Sequence, residues 1–240
     1  MLHEKRIAVL IPAAGTGTRM RQGPVQGKNK ILLPLGNEPI VVRTVRCFQS
    51  HPEIERIGLI LRPEDIPEIE GRFTARNARQ KLLPWILGGK NRQDSVRNGL
   101  EALAGDPPDW VLVHDGARPV CPRSLIDRVL DGLNHAPGVI PVLRVTDTVR
   151  QMNLEGSKVM DRATLFFTQT PQGFHWQPLW NAHQAHWESV AGITDDAQLL
   201  ELEGLAVTAV AGDPTNIKVT TAEDLAWAHW NIKSVEEKTD

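Results

Sequence analysis

Small and basic residues follow the first predicted strand at a spacing suited to a phosphate-binding loop. The strand is the β-branched run Arg6–Ile11, and the next residues read Pro-Ala-Ala-Gly-Thr-Gly-Thr-Arg up to Arg19. Ligands bind beyond the carboxyl ends of parallel strands, and small residues let backbone N–H groups approach a phosphate chain. Arg19 would stabilise oxygens that gain charge during phosphoryl transfer. The segment matches neither a Rossmann fingerprint nor a P-loop, so a tight turn with a solvated arginine is the alternative.

Three further segments carry polar groups that could reach the same anionic ligand. Lys30 precedes an apolar run and would supply a second cation, with Lys28 as a competing choice. A double glycine separates a predicted strand from a predicted helix, and the hydroxyl of Ser95 could read the polar edge of a base. Asp115 follows a strongly apolar run, and its carboxylate suits Mg²⁺, which prefers oxygen ligands and keeps substrate phosphates and waters. Capping of the next turn is the structural alternative for Asp115.

Alternating strand and helix patterns indicate the scaffold that must position these loops. Short β-branched runs predict buried strands, and apolar residues between them recur at helical spacing. This alternation predicts a mostly parallel, twisted sheet with helices on both faces, an α/β/α sandwich of three layers. The predicted strands are Arg6–Ile11, Arg56–Leu61, Lys81–Leu87, Trp110–His114, Val139–Leu143 and Leu205–Val210. The predicted helices include Ile40–Phe48, Val96–Leu103, Leu125–Leu133, Trp176–Trp187 and Thr221 to about Ile232.

One segment breaks the alternation. Residues of about 145–162 contain too few apolar side chains to form a layer of the main core, and they predict two short extended segments around a turn at Glu155-Gly156. We interpret them as an arm that packs against a second subunit, with a surface hairpin as the alternative. Residues 1–233 are therefore predicted to form a single domain, and residues 234–240 a frayed tail.

Composition excludes several classes of protein. The 240 residues include 27 Lys and Arg and 29 Asp and Glu, and the net charge of −2 gives no reason to bind nucleic acid or an anionic membrane. Cys47 and Cys121 cannot form a disulfide framework. The early apolar run Ile7–Ala14 is too short to span a bilayer, and it does not resemble a signal peptide. We expect a cytoplasmic protein, or a plastid-stroma protein if the source is a plant, although no transit peptide is present.

The motifs follow one another in the order of a known family. In sequence they are PAAGxGxRM, a lysine before LxLxG, GGxxRQDSV, VHDGARP, TDT, DR, QTPQ, TDDA and NIKVT. From about Arg6 to Ala228, this succession resembles the 2-C-methyl-D-erythritol 4-phosphate cytidylyltransferases of the non-mevalonate isoprenoid pathway. The resemblance implies a Rossmann-like nucleotidyltransferase fold with a projecting β-arm.

The resemblance also implies a reaction and a set of site residues. The family joins CTP to methylerythritol phosphate with Mg²⁺, and the substrate phosphate attacks the α-phosphorus in line and releases pyrophosphate. The resemblance assigns catalytic roles to Arg19, Lys30 and Lys218, and nucleotide binding to Ala13, Ala14, Gly15, Gly89 and Ser95. It assigns substrate binding to Asp115, Arg118, Thr148, Arg162 and Thr170, with Asp115 also at the metal. Thr148 and Arg162 lie at the two ends of the arm, which implies that they complete the neighbouring site of a homodimer.

Two other functions stay open at this point. A ribitol-5-phosphate cytidylyltransferase shares several motifs, although the PAAG and RQDS segments favour the methylerythritol enzyme. A catalytically silent nucleotide-binding subunit would share the fold, but Arg19, Lys30, Asp115 and Lys218 argue against it. Lys90-Asn91 departs from an acidic pair common in the family, which leaves the contacts of ribose or base open there.

Three features of the second half are interpreted as structural. His183 and His186 share a helical face, but no acidic residue is placed by the sequence to complete a metal site. The tryptophans of the same stretch are typical of a core or an interface. The pair Asp195-Asp196 precedes an apolar run, which predicts a helix cap and first-turn charge.

Overall fold

A computed structural model of the chain describes residues 5–15, 29–73, 80–154, 156–188 and 192–236. The strands are β1 (Ile7–Pro12), β2 (Pro34–Leu35), β3 (Glu38–Pro39), β4 (Ile54–Leu61), β5 (Ile86–Leu87), β6 (Trp110–Val113), β7 (Gly138–Arg144), β8 (Arg150–Asn153), β9 (Gly156–Val159), β10 (Phe166–Thr168), β11 (Gln172–His175) and β12 (Val207–Ala211). The α-helices are α1 (Ile40–Gln49), α2 (Ile66–Glu70), α3 (Arg92–Leu103), α4 (Arg123–Gly132), α5 (Trp176–Ala185), α6 (Ala197–Leu202) and α7 (Ala222–Glu236).

A mostly parallel sheet forms the middle layer, as predicted. Strands β5, β4, β1 and β6 are consecutive parallel neighbours, with Val9 opposite Ile57 on one side and Leu112 on the other. Strand β11 then pairs antiparallel with both β6 and β7, and β12 pairs parallel with β7. The sequence interpretation missed β10 and β11, because both are short segments without a long apolar run.

Alternation along β1 shows how the three layers are held together. Ile7, Val9 and Ile11 point into one core with α1 and α4, whereas Ala8 and Leu10 point into another with α3, α5 and α6. All five side chains are buried, as expected for a strand covered on both faces. The three-layer α/β/α sandwich predicted from periodicity is thereby confirmed.

A smaller cluster fixes the segment that carries Lys218. Val219 is buried with Leu33, Leu35 and Ile40, and α7 covers this cluster through Ala228. The Val219 backbone N–H donates to the Ala117 carbonyl at 2.8 Å. The chain after β12 is therefore attached to the end of the sheet that follows β6.

The predicted arm is a hairpin of β8 and β9. Arg150 pairs with Val159 and Asn153 with Gly156, and the described side chains of both strands are exposed. Gly156 has a φ of +143°, a conformation that favours glycine in the turn. Two extended segments around this turn are therefore confirmed, although Glu155 lies outside the described residues.

Several predicted boundaries differ from the structure. The run 81–87 forms a strand at β5 alone, with one isolated bridge from Leu82 to Ile57, because its Pro84 has no backbone N–H to donate. Helix α5 ends at Ala185 rather than Trp187, and α7 continues to Glu236, past the predicted end near Ile232. Residues 237–240 of the predicted tail lie outside the described residues. Within the described part of the chain, no helix has both the length and the hydropathy to cross a membrane.

Candidate active site

A cavity of about 570 Å³ opens at the carboxyl ends of the parallel strands. Loops after β1, β4, β5 and β6 line it, together with the segments around Lys30 and Lys218. The lining residues include Pro12, Ala13, Ala14, Gly15, Lys30, Arg62, Glu64, Gly88, Gly89, Lys90, Asn91, Arg92, Ser95, Asp115 and Lys218. Eight of the predicted site residues therefore share one cavity: Ala13, Ala14, Gly15, Lys30, Gly89, Ser95, Asp115 and Lys218. Arg19 and the competing Lys28 lie outside the described residues.

The loop after β1 lines the cavity with small residues, Ala13, Ala14 and Gly15. Ala13 is buried and its N–H donates to the Ile60 carbonyl at 2.8 Å, which continues the β1–β4 pairing past the strand end. Gly116 packs against Ala13 so closely that an added Cβ would lie 2.8 Å from the Ala13 Cβ. The small residues at these positions thus let two strand ends close together beneath the cavity.

The double-glycine loop is shaped by Ser95. The Ser95 hydroxyl donates to the Asn91 carbonyl at 2.8 Å and accepts from the Gly89 N–H at 3.0 Å. An added Cβ at Gly88 would collide with Ala14, and one at Gly89 would collide with Asp94. The proton of the hydroxyl is already used within the loop, so toward a base Ser95 offers a remaining acceptor lone pair.

Asp115 lies among three cations. Its Oδ2 is 2.9 Å from Lys218 Nζ and 3.4 Å from Arg118 Nε, and its Oδ1 is 3.9 Å from Arg92 Nε. Burial alone would raise the pKa of the Asp115 carboxyl, but the neighbouring cations outweigh burial and hold that pKa well below its ordinary value. The carboxylate stays ionised and orients positive groups around one edge of the cavity.

A buried hydrogen-bond chain supports Asp115 from behind. His114 Nε2 lies 3.1 Å from the Arg118 carbonyl, which can only accept, so Nε2 carries the proton. Nδ1 then accepts from the Thr170 hydroxyl at 3.2 Å, and that hydroxyl accepts from the Asp115 N–H at 3.1 Å. Burial lowers the pKa of His114 to about 4, in keeping with a neutral ring.

Arg118 and Thr170 are buried behind Asp115 rather than among the lining residues. Arg118 Nη1 donates to the Asn216 carbonyl at 2.7 Å, which ties the loop after β6 to the segment before Lys218. Their predicted contact with substrate stays a prediction, and their described contacts hold Asp115 in place.

Lys30 is presented by a short 3-10 helix whose first residue it forms. Its Nζ donates to the Val219 carbonyl at 3.0 Å. The preceding Asn29 is buried and donates from Nδ2 to Asp65 Oδ2 at 2.7 Å, and Asp65 also pairs with Arg62 Nε at 2.9 Å. Sequence reasoning did not single out Asn29 or Asp65; a buried Asp–Asn pair 36 positions apart has no local pattern.

Thr148 and Arg162 lie apart from the cavity lining. Both side chains are exposed at the base of the arm, and Arg162 Nη1 donates to the Thr146 carbonyl at 2.6 Å. Phe166 and Phe167 on the adjoining β10 are also exposed. In this chain, Thr148 and Arg162 are therefore not among the residues that line the cavity.

The pair Asp195-Asp196 provides the predicted helix cap but not the predicted first-turn charge. Asp195 Oδ1 accepts from the Gln198 N–H at 3.2 Å, and α6 has no acidic residue in its first turn. Asp196 makes no side-chain cap hydrogen bond at α6; it pairs with Arg92 Nη1 at 2.7 Å and with His183 Nε2 at 3.1 Å. His186 lies 2.9 Å from Glu203, so each histidine does have a carboxylate partner, but the two partners are different residues. Tertiary packing of α3, α5 and α6, which the local sequence does not encode, creates these pairs.

Arg92 lines the cavity and belongs to the GGxxRQDSV motif, but the sequence alone assigned it no role. It begins α3 directly after the double-glycine loop. Burial alone would lower the pKa of Arg92, but Asp196 and Asp115 raise it. An arginine at the first helical position after such a loop is the signal that could have identified it.

The described lining offers two carboxylates for a divalent cation, Asp115 and Glu64. Glu64 is 63% exposed and paired with Arg62 at 3.3 Å, and both oxygens of Asp115 face cations. Mg²⁺ is commonly held by one or two carboxylates and by substrate phosphates. The donor set fits an ion that arrives with a polyphosphate better than one enclosed by protein ligands.

The fold and the cavity define an α/β protein of the nucleotidyltransferase type, in which cations and small-residue loops meet at the carboxyl edge of a parallel sheet. A family model described as 2-C-methyl-D-erythritol 4-phosphate cytidylyltransferase matches residues 7–234. The chain belongs to this family.

Individual relatives agree with the family model. The 2-C-methyl-D-erythritol 4-phosphate cytidylyltransferase of Synechococcus elongatus is 39% identical over 227 residues, which cover 94% of this chain and 95% of the relative. The bifunctional enzyme IspD/IspF of Nitrobacter winogradskyi is 40% identical over 228 residues, covering 93% of this chain but 55% of that enzyme. This chain thus spans about half the length of the bifunctional relative. The crystal structure of 4-diphosphocytidyl-2C-methyl-D-erythritol synthase from Anaerococcus prevotii has a TM-score of 0.80 at 27% identity, covering 96% of this chain and 99% of that structure.

Proposed function

We propose that this chain transfers CMP from CTP to 2-C-methyl-D-erythritol 4-phosphate and releases pyrophosphate. One observation carries the proposal: Lys30, Lys218 and Arg92 enter a single cavity beside backbone loops of small residues, in a chain that belongs to the cytidylyltransferase family. Joining a triphosphate to a monophosphate requires several positive groups, because both reactants are anionic.

The chemistry follows from charge and position. A phosphate oxygen of the acceptor attacks the α-phosphorus of CTP, a new phosphorus–oxygen bond forms, and the bond from the α-phosphorus to the bridging oxygen breaks. Pyrophosphate leaves with the electron pair of that bond. No protein nucleophile is required, so catalysis consists of alignment and charge stabilisation. Lys30 and Lys218 supply cations to the cavity, with Lys30 Nζ bonded to the Val219 carbonyl next to Lys218, and Arg19 is predicted to join them.

The double-glycine loop supports selection of a pyrimidine. Gly88 contacts Ala14 so closely that no side chain fits between the loops after β1 and β5. This contact restricts the depth available to a base, while the Gly89 and Ser95 edge offers polar groups. A pyrimidine requires less depth than a purine.

Mg²⁺ is the proposed cofactor. It would be held by Asp115 together with the phosphates of the nucleotide, and when bound it neutralises phosphate charge. Lys218 and Arg118 already hold the Asp115 carboxylate in one orientation, so the metal would meet an ordered ligand.

A homodimer is proposed as the functional unit. The β8–β9 hairpin is exposed throughout its described residues, yet it carries Met152 and Val159, and Phe166 and Phe167 are exposed beside its base. Apolar side chains on a projecting hairpin suit burial against a second copy of the chain. Arg162 and Thr148 would then reach the partner's polyol phosphate.

A cytoplasmic location is proposed with this function, because its substrates are phosphorylated metabolites.

Pyrophosphate release tests the proposed function. The purified chain with CTP and Mg²⁺ is expected to release pyrophosphate with 2-C-methyl-D-erythritol 4-phosphate at a kcat/KM at least tenfold above that with ribitol 5-phosphate. Preference for ribitol 5-phosphate would overturn the assigned substrate. CTP binding without release with either acceptor would indicate a silent nucleotide-binding subunit, and a reaction unchanged by a metal chelator would refute the proposed cofactor.

A further inference from the structure

Arg92 lies between two carboxylates, one that it binds closely (Asp196) and one that it contacts at a longer distance (Asp115). Its Nη1 donates to Asp196 Oδ2 at 2.7 Å, whereas its Nε lies 3.9 Å from Asp115 Oδ1. The Asp196 side chain is 1% exposed and that of Arg92 is 29% exposed. One edge of the guanidinium is therefore fixed by a buried charge, while Arg92 also lines the cavity.

His183 holds Asp196 from the opposite side. His183 Nε2 lies 3.1 Å from Asp196 Oδ1, and the ring is fully buried. A carboxylate accepts, so Nε2 donates, and each oxygen of Asp196 has its own partner. Burial alone would raise the pKa of Asp196, but Arg92 and His183 lower it to about 2, so the carboxylate is charged at neutral pH.

Asp195 and Asp196 perform different tasks although they are adjacent. Asp195 Oδ1 accepts from the Gln198 N–H at 3.2 Å, as a helix-capping side chain does, and its Oδ2 accepts from Gln172 at 2.7 Å. Asp196 makes no cap hydrogen bond. Its side chain is directed across to α3, which is a contact that stabilisation of α6 does not require.

We propose that Asp196, oriented by His183, is a positioning residue that keeps Arg92 directed at the bound nucleotide and prevents it from closing onto Asp115. Without the charge of Asp196, the nearest carboxylate to Arg92 is Asp115, which already pairs with Lys218 and Arg118. A guanidinium drawn onto Asp115 would leave its place in the cavity and would compete with Lys218. The ligand class is a nucleoside triphosphate, met through its phosphate or ribose oxygens, and in this respect the inference rests on the proposed function.

A double-mutant cycle separates positioning from a general structural role. CTP binding is measured by calorimetry and transfer by steady-state kinetics for Asp196→Asn, Arg92→Ala and the double variant. Asp196→Asn keeps the side-chain shape, and His183 can accept from the new amide by moving its proton to Nδ1, which has no partner. We expect Asp196→Asn to weaken CTP binding about tenfold and to change kcat less than threefold. The double variant is expected to bind CTP no more weakly than Arg92→Ala, because Asp196 acts through Arg92.

Asp195→Asn is the matched control and should bind CTP within twofold of wild type. Wild-type CTP affinity in Asp196→Asn, or independent effects that multiply in the double variant, would overturn the proposal. Should Asp196→Asn fail to fold, His183→Leu removes the donor while keeping apolar volume, and a folded His183→Leu with unchanged CTP affinity would overturn it equally. A wild-type protein that binds CTP but transfers no CMP would refute the proposed function and leave this binding comparison valid.

Discussion

At the level of single residues, positive charge is concentrated around one carboxylate, that of Asp115. Lys218 pairs with Asp115 at 2.9 Å and is 36% exposed, so its ammonium can reach an incoming phosphate while it remains near its partner. The same carboxylate is anchored by Arg118, which also bonds the Asn216 carbonyl two residues before Lys218. Asp115 therefore holds Lys218 directly through the ion pair. It also holds it indirectly, because Arg118 ties Asp115 to the backbone just before Lys218.

Replacement of Lys218 tests this arrangement. Lys218→Ala is expected to lower kcat by ~10²-fold or more, because a cation at developing phosphate charge acts mainly in the transition state. Lys5→Ala removes a lysine that lies over the Trp110 ring and away from the cavity, and it should leave kcat unchanged. A Lys218→Ala variant with normal kcat and a raised KM for CTP would show that this lysine only binds the nucleotide.

His114 gives the protein a defined response to acid. Its pKa is about 4 in the fold because the ring is buried, against an ordinary value of 6.5. Between pH 6.5 and pH 4 the histidine is protonated in the unfolded chain but stays neutral in the folded chain. The free energy of unfolding therefore falls as the pH drops from about 6.5 to about 4. The full effect is about 3 kcal/mol by linkage.

His114→Gln should reduce this acid sensitivity. Glutamine retains an N–H that can donate to the Arg118 carbonyl but does not titrate. Denaturant unfolding at several pH values between 4 and 7 is the measurement, and the variant should show the shallower loss of stability. Equal slopes in wild type and variant would show that His114 does not control this range.

At the scale of elements, two loops must approach each other for the cavity to exist. Gly88 after β5 faces Ala14 after β1, and an added Cβ would collide with the alanine. Gly88→Ala is therefore expected to separate the loops and to weaken CTP binding by at least tenfold. Gly105→Ala is the matched control, since nothing lies within 4 Å of an added Cβ there. Normal CTP affinity in Gly88→Ala would mean that the two loops do not form the base pocket.

The arm is the second element with a testable role. If Arg162 serves the partner's site, a heterodimer of one Lys218→Ala subunit and one Arg162→Ala subunit contains one complete site. Its activity is expected to approach half that of wild type, whereas each homodimeric variant is impaired. Kinetics on verified heterodimers make the measurement, and absence of recovery would place Arg162 in the site of its own subunit.

At the scale of the whole molecule, periodicity predicted the layers because β1 is buried on both faces and its neighbours share that pattern. The loops were predictable for a related reason: residues such as Gly89 and Asp115 directly follow apolar runs, and parallel strands bring their carboxyl ends together. The pairs Arg92–Asp196 and Asn29–Asp65 were not predictable, because they join segments distant in sequence through packing. The sequence did not predict strands β10 and β11, because neither has a long apolar run. They are strands because β10 pairs with β7 and β11 pairs with β6 and β7.

Loops that are distant in sequence are proposed to form one site for a pyrimidine triphosphate. A crystal structure of the chain with CTP and Mg²⁺ would show whether they do. We expect cytosine beside Gly89 and Ser95, with the phosphates in contact with Lys30 and Lys218. A nucleotide bound elsewhere, or phosphates that contact neither lysine, would contradict this proposal.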